Sequence, residues 1–353
     1  MQAKKKHANI PIFIPHEGCG NACVFCSQRK ITGVDAGSSR DIRPEIENAL
    51  STINENDYET EIAFFGGSFT GIDRGLMISL LSTAYGFIES GRVSSIRIST
   101  RPDYIDEEIL EILKKYSVKN IELGLQSMDD EVLSMSKRGH TAAVSKKACR
   151  MIVDNGFALT GQMMVGLPGS TAEKEVMTAN EICSLGAVSA RIYPTVVFYD
   201  TELYNMAVSG RYTPITNEAA VQRCAEAYKV FLKNNVKVLR VGLQSSENLS
   251  DESQVYAGAN HPAIGEMCES RIYFDKCVEK IELLTRKNHS CTGILKIYCP
   301  YGEVSKVAGQ KRINKKKIEE YCSLKNIKIS EIKIIEKENI AKFDVETDIA
   351  EGK

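Results

Sequence analysis

Ile10-Pro11-Ile12-Phe13-Ile14 runs directly into Pro15-His16-Glu17-Gly18-Cys19-Gly20-Asn21-Ala22-Cys23-Val24-Phe25-Cys26, so a short apolar stretch delivers three thiols onto one loop. The β-branched run Ile10 to Ile14 has the composition of a buried strand. No fourth cysteine follows until Cys149. Structural zinc is normally closed by four protein ligands, and a simple electron-transfer cluster by four cysteines. Three on one loop therefore imply a metal centre with an open coordination position. From these residues alone, a zinc site and a chance grouping both stay open. His16, directly before the loop, stands where an imidazole tunes ligands from behind.

Outward from the loop, apolar β-branched runs alternate with helix-period segments. Strands are expected at Ile10–Ile14, Glu61–Phe65, Ser95–Ser99, Asn120–Leu125, Ala158–Val165 and Ala187–Val197. Helices are expected over 43–55, 74–90, 106–116, 141–155, 172–185 and 217–234. Asp106 before Glu107-Glu108 and Ser170-Thr171 before Glu173 read as helix starts, and Gly156 and Gly186 as helix ends. Such alternation requires right-handed crossovers and a parallel sheet. Six units predict a partial (β/α)6 TIM-like barrel with a smaller α+β C-terminal extension. The division falls at 1–235 and 236–353, and the lysine-rich tail reads as too polar for a large core of its own. Polar and glycine signals gather at the strand ends, the edge where parallel α/β folds bind ligands.

Composition narrows the classes. At 43% hydrophobic and 26% charged, with a formal net charge of -1, the 353-residue chain has no whole-molecule field for nucleic acid or membrane. No 18-residue apolar run exists and the N-terminus lacks a signal-peptide pattern, so a cytoplasmic protein is expected. Eight further cysteines are scattered singly and read as buried free thiols; Cys291 and Cys299 lack a second pair at metal spacing. His140 and His261 read as structural loop histidines.

The Cys-x3-Cys-x2-Cys loop after a first strand, in a chain of six strand-helix units, resembles the radical S-adenosylmethionine (SAM) superfamily. The motifs Phe64-Phe65-Gly66-Gly67-Ser68, Ser99-Thr100-Arg101-Pro102-Asp103, Glu122-Leu123-Gly124-Leu125-Gln126-Ser127, Lys137-Arg138-Gly139-His140, Gly161 to Gly169 and Tyr193-Pro194-Thr195 follow in family order. As a set they resemble the branch containing the catalytic subunit of Elongator and, more distantly, oxygen-independent coproporphyrinogen dehydrogenase. The resemblance implies a 4Fe-4S cluster on Cys19, Cys23 and Cys26, with S-adenosyl-L-methionine on its open iron, cleaved reductively to a 5'-deoxyadenosyl radical. It further implies cofactor contacts from Phe25 at the adenine and from Gly66, Gly67 and Ser68 at the methionyl amino group. Ser99 joins them, with Gln126 and Arg138 at the ribose and carboxylate, Gln162 at the ribose hydroxyls and Pro194 beside the adenine. Ser99 and Gln162 stand where coproporphyrinogen dehydrogenase carries a glutamate and an aspartate, which argues against porphyrinogen chemistry.

The resemblance also implies an RNA substrate, tRNA in particular, and an electron donor such as ferredoxin or flavodoxin. Val241-Gly242-Leu243-Gln244 with Ala257 to Pro262 looks like the extension of short bacterial relatives without an acetyltransferase domain, and no acetyl-CoA loop is seen before Lys353. Lys306, Lys311, Arg312, Lys315, Lys316 and Lys317 put six basic residues in twelve with no acidic one, a candidate RNA contact; a solvated helix start is the plainer alternative. Two other classes compete: a small-molecule oxidative decarboxylase, and a non-enzymatic haem or cluster carrier on the same fold.

Overall fold

The computed structural model describes residues 5–14, 18–20, 23–27, 41–54, 57–243, 253–287 and 292–350; His16, Gln244 and Cys291 lie outside them. The chain divides into two compact units, Met1–Thr216 with Val230–Asn260, and Asn217–Lys229 with His261–Lys353.

In the first unit, seven parallel strands form one sheet in sequential order: β1 (Lys6–Ile14), β2 (Tyr58–Gly66), β3 (Ser95–Thr100), β4 (Val118–Gln126), β5 (Ala158–Val165), β6 (Ser189–Pro194) and β8 (Lys237–Val241). Helices α1 (Arg43–Ser51), α2 (Arg74–Glu89), α3 (Glu107–Lys115), α5 (Ala142–Asp154) and α6 (Ala172–Ser184) fall between them in the chain, with the short α4 (Asp130–Met135) ahead of α5. Parallel neighbours require such crossovers, and the sheet curls into a half-barrel. The expected six units gain a seventh strand in β8, which pairs with β6 from Ser189↔Lys237 to Ile192↔Val241. Ile62, Phe64, Ile96, Ile98, Ile121, Leu123 and Leu159 are buried along the strands, and Phe64 stacks on Phe69 at 4.5 Å.

The expected single strand Ala187–Val197 is two elements. β6 stops at Pro194, and the Thr195 N–H and Oγ1–H both donate to Val165 O at 2.8 Å. β7 (Val196–Phe198) then pairs antiparallel with β9 (Val255–Gly258), and α7 (Glu202–Val208) follows β7.

The second unit holds the start of α8 (Asn217–Lys233) and then α9 (Ile264–Lys287), α10 (Val304–Ala308) and α11 (Ile313–Leu324). Its three-stranded sheet has the order β11 (Lys328–Glu336), β10 (Thr292–Cys299), β12 (Glu346–Ala350). Contrary to the polar reading of the tail, it has its own core, with Tyr273, Cys277, Ile281, Leu295, Ile297, Val307, Ile318 and Cys322 all buried. Its lysines and glutamates occupy the outward positions of the same helices, so composition hid the apolar side. Burial pushes the Cys149 and Cys277 thiols up to about 12, in keeping with unreactive core cysteines. Among the described residues, no helix is long and apolar enough to cross a membrane.

Candidate metal and cofactor site

The cysteine loop is seated by backbone contacts that only small residues permit. Gly18 has φ +75, and a Cβ there would lie 2.2 Å from Ser68 O; one on Gly71 would lie 2.3 Å from Gly18 O. Beyond this crossing, Gly20 N–H donates to the Tyr104 hydroxyl at 3.1 Å, Val24 N–H to Ser136 O at 3.2 Å, and Leu203 N–H to Val24 O at 2.8 Å. Val24 is buried with Val197, Leu203, Met206 and Tyr212, and the half-buried Phe25 packs against the same cluster. Gly66, at φ +113, has room for no side chain against Ile14 O, to which Gly67 N–H donates at 2.9 Å. The Gly66-Gly67 pair therefore ties the end of β2 to the strand that leads into the loop.

Two sulfurs meet partners from elsewhere in the chain: Ser68 and Arg101 beyond the ends of β2 and β3, and Arg138 between α4 and α5. Cys19 Sγ and Ser68 Oγ lie 3.3 Å apart. Arg138 is 5% exposed and donates through its guanidinium to Cys23 Sγ at 3.2 Å and to Gly124 O. Arg101 reaches the same sulfur at 3.8 Å, holds Asp103 with two bonds of 2.9 Å, and donates to the Arg138 carbonyl. Burial works against the Arg101 charge, but the Asp103 bond, and then the Cys23 and Cys19 sulfurs, keep its pKa above the ordinary arginine value. Cys26 is exposed, its N–H bonded to Cys23 O at 3.1 Å. Among the described residues, no three His, Cys, Asp or Glu side chains converge at metal-ligating spacing.

Unspent hydrogen-bonding capacity surrounds Cys23. Gln126, held at φ +65, buries its Oε1 without a partner, and Arg138 Nε and His140 Nε2 are likewise buried and unpartnered. Such groups cost of order 1–3 kcal/mol each unless a ligand or water engages them. Gly124 beneath them leaves these groups their room, since a Cβ would sit 3.0 Å from Gln126 Nε2. Burial, and then the Arg138 charge, holds the His140 pKa down at about 4. Three thiols on a loop backed by two guanidiniums suit an anionic iron-sulfur centre. The orphaned donor and acceptors suit a ligand carrying both charge signs, so the residues fit both expected groups.

Ser99 and Gln162 belong to a second cluster along the barrel interior. Glu122, fully buried, accepts from Arg97 at 3.0 Å, from Arg191 at 2.9 and 3.0 Å, and from Gln162 Nε2 at 2.8 Å; Ser99 Oγ lies 3.4 Å from the same amide. Arg97 also donates to the buried Glu61 at 2.7 Å, and Arg191 lies 5.7 Å over the Phe65 ring. Pro194 is buried at the end of β6, in register with Val165. Sequence reasoning gave no role to Glu61, Arg97, Glu122 or Arg191, whose available signal was a charge inside an apolar strand, rarely buried unless paired, nor to Arg101, which lies just past the end of β3.

In the second unit, Lys306 is bound to Glu269 at 2.7 Å and Glu303 at 3.1 Å, so its charge is already spent. Lys311, Arg312, Lys316 and Lys317 are exposed and Lys315 half-buried, with no ion pair among the described residues.

Comparison with known proteins gives the family. Residues 13–182 match the radical SAM superfamily, and residues 188–273 match the radical SAM C-terminal domain. The tRNA uridine(34) acetyltransferase of Methanocaldococcus jannaschii is 29% identical over 266 residues, covering 64% of this chain and 49% of that protein. Elongator complex protein 3 of Schizosaccharomyces pombe is 26% identical over 245 residues, 58% of this chain and 45% of that protein. The chain thus spans about half the length of these curated relatives. The structure of Methanocaldococcus infernus Elp3 lacking residues 1–46 shares the fold, with TM-score 0.59 and 21% identity over 76% of this chain and 63% of that one. With two domain matches running in chain order from residue 13 to 273, the chain belongs to the radical SAM superfamily of enzymes and is homologous to Elongator Elp3-like proteins.

Proposed function

We propose that Cys19, Cys23 and Cys26 hold three irons of a 4Fe-4S cluster, that S-adenosylmethionine occupies the space beside Gln126 and Arg138, and that the chain modifies an RNA, specifically a tRNA. The observation that carries this reading is the Arg138 guanidinium on Cys23, with its own Nε and Gln126 Oε1 buried and unpartnered beside it. When bound, the cluster supplies the single electron that cleaves S-adenosylmethionine and releases a carbon-centred radical for hydrogen abstraction.

The chain's own residues do the rest. Arg138 and Arg101 bring positive charge to the Cys23 sulfur, where a cluster held by three thiolates would concentrate negative charge. Arg138 Nε donates to a ligand carboxylate, and Gln126 Oε1 accepts from a hydroxyl or ammonium group. Glu122 fixes the Gln162 amide through its nitrogen, which leaves the oxygen to face a ligand hydroxyl. Ser68, Ser99, Gly66, Gly67 and Pro194 complete the strand-end set, and Phe25 with the Val24 cluster excludes water from one side of the loop. The tRNA substrate is drawn from relatives bearing the names tRNA uridine(34) acetyltransferase and Elongator complex protein 3. Residues 236–353 serve in this reading as the substrate-facing extension, and a small protein reductant supplies the electron.

Anaerobic reconstitution tests the proposal. About four irons per chain and dithionite-dependent formation of 5'-deoxyadenosine are expected, and Cys23→Ala should lose both. Zinc held in place of iron, with no cleavage, would overturn the radical reading. Nucleoside mass spectrometry of RNA from a deletion strain tests the substrate: an unchanged profile beside intact cleavage points to a small molecule instead.

A further inference from the structure

The second unit carries a cavity of about 690 Å³, lined by the first turns of α8, the first half of α9 and residues 305–317. That volume lies within the range of small-ligand sites, roughly 300–1,000 Å³. Its chemistry is divided. Val221, Met267, Phe274 and Ile313 make an apolar wall, and the Arg271 guanidinium lies 5.7 Å over the Phe274 ring. Lys311, Lys316 and Lys317 also line it, exposed and without an acidic partner among the described residues. The other cations present are spent: Lys306 on Glu269 and Glu303, Arg271 on Asp275 at 2.8 Å. Glu218 and Glu266 add two exposed acceptors.

Few ligands satisfy all three features. A purely apolar molecule leaves three lysines without a counter-charge, and a bare inorganic anion leaves the apolar wall empty. A nucleotide presents a flat base for the wall, N–H and hydroxyl donors for the carboxylates, and phosphate for the lysines. We propose that this cavity binds a nucleotide, its base against Met267 and Phe274 and its phosphate toward Lys311, Lys316 and Lys317. The nucleotide is either free or an unpaired residue of an RNA; only the second source rests on the RNA-directed function proposed above.

The wall and the lysines are separable. Asn314, which pins the 305–317 segment by donating to Ser270 O and Oγ at 2.9 Å, stays untouched by substitutions at the exposed positions. Two variants of the full chain suffice: Lys311→Glu with Lys316→Glu and Lys317→Glu, and Gln222→Trp, which fills the mouth from an exposed lining position. Circular dichroism checks their folding. The probes are an unmodified tRNA transcript, followed by fluorescence anisotropy against salt, and uridine and adenosine 5'-monophosphates, followed by calorimetry. If the ligand is RNA, the triple variant should bind the transcript about tenfold more weakly at 0.15 M salt, with a log-log salt slope smaller by about two. Gln222→Trp should weaken binding with the slope unchanged, because it removes space and not charge. If the ligand is free, a mononucleotide should bind the native chain and neither variant. Transcript binding that is equal in all three proteins, with no mononucleotide bound, overturns the cavity proposal and leaves the RNA reading standing. So does a loss confined to the lysine variant, which marks a surface patch and not a pocket. Mononucleotide binding without transcript binding sustains the cavity and sinks the RNA reading; no binding of either probe sinks both.

Discussion

His140 is 8% exposed, and burial together with the Arg138 charge holds its pKa at about 4, so the folded chain keeps it neutral at pH 7. Unfolded, the same imidazole titrates near 6.5. Between those values the unfolded chain binds a proton that the folded chain refuses, so stability falls as pH drops from about 6.5 toward 4. The loss should amount to about 2–3 kcal/mol in the metal-free protein. Urea denaturation of native protein and His140→Asn at pH 7 and 4.5 checks this: the variant should lose less on acidification, and equal losses would refute it. At this scale the sequence was legible in part. The cysteines stand out by their spacing, whereas Gly66 and Arg138 came only with the family resemblance. Lys306 looked like its basic neighbours; Glu303, three residues before it, was the one local sign of pairing, and nothing nearby revealed that Glu269 also claims its charge.

Elements were legible where a local signal and a local cause coincide. Asp106 reads as a helix start, and its side chain does accept from Ile109 N–H at 2.8 Å, satisfying one orphan donor of α3. Asp106→Ala should cost about 1 kcal/mol in chemical denaturation, while Asp106→Ser should recover most of it. Equal losses in both would assign the effect to charge and not to the cap. The short helices α4 and α7 were missed because six or seven residues carry too little periodicity. The break at Thr195 was missed for another reason. A continuous β-branched run looks alike whether it stays in one sheet or changes partners, and only the pairing of β7 with β9 distinguishes the two.

Across the whole half-barrel, Glu61, Arg97, Glu122 and Arg191 form a chain of buried charges that stitches β2, β3, β4 and β6 together. Glu122 is its centre, so Glu122→Gln takes the carboxylate from Arg191 and leaves Arg97 to Glu61, and should cost about 3 kcal/mol. Adding Arg191→Met should cost less than the sum of the single changes, measured as a double-mutant cycle; strict additivity would mean that the pair is solvated. The sequence by itself determined the alternation of strands and helices, the parallel sheet that alternation demands, and three thiols on a loop beside the first strand, because periodicity and spacing act over a few residues. Only the tertiary structure decided that Arg138, 115 residues away, meets Cys23, and that Gln126 and His140 bury unspent polar atoms there. It likewise decided that the tail builds a core and a cavity of its own. Those outcomes depend on strand register and on sheet curvature, which bring distant strand ends together, and no local pattern of residues encodes which distant side chains will share the space.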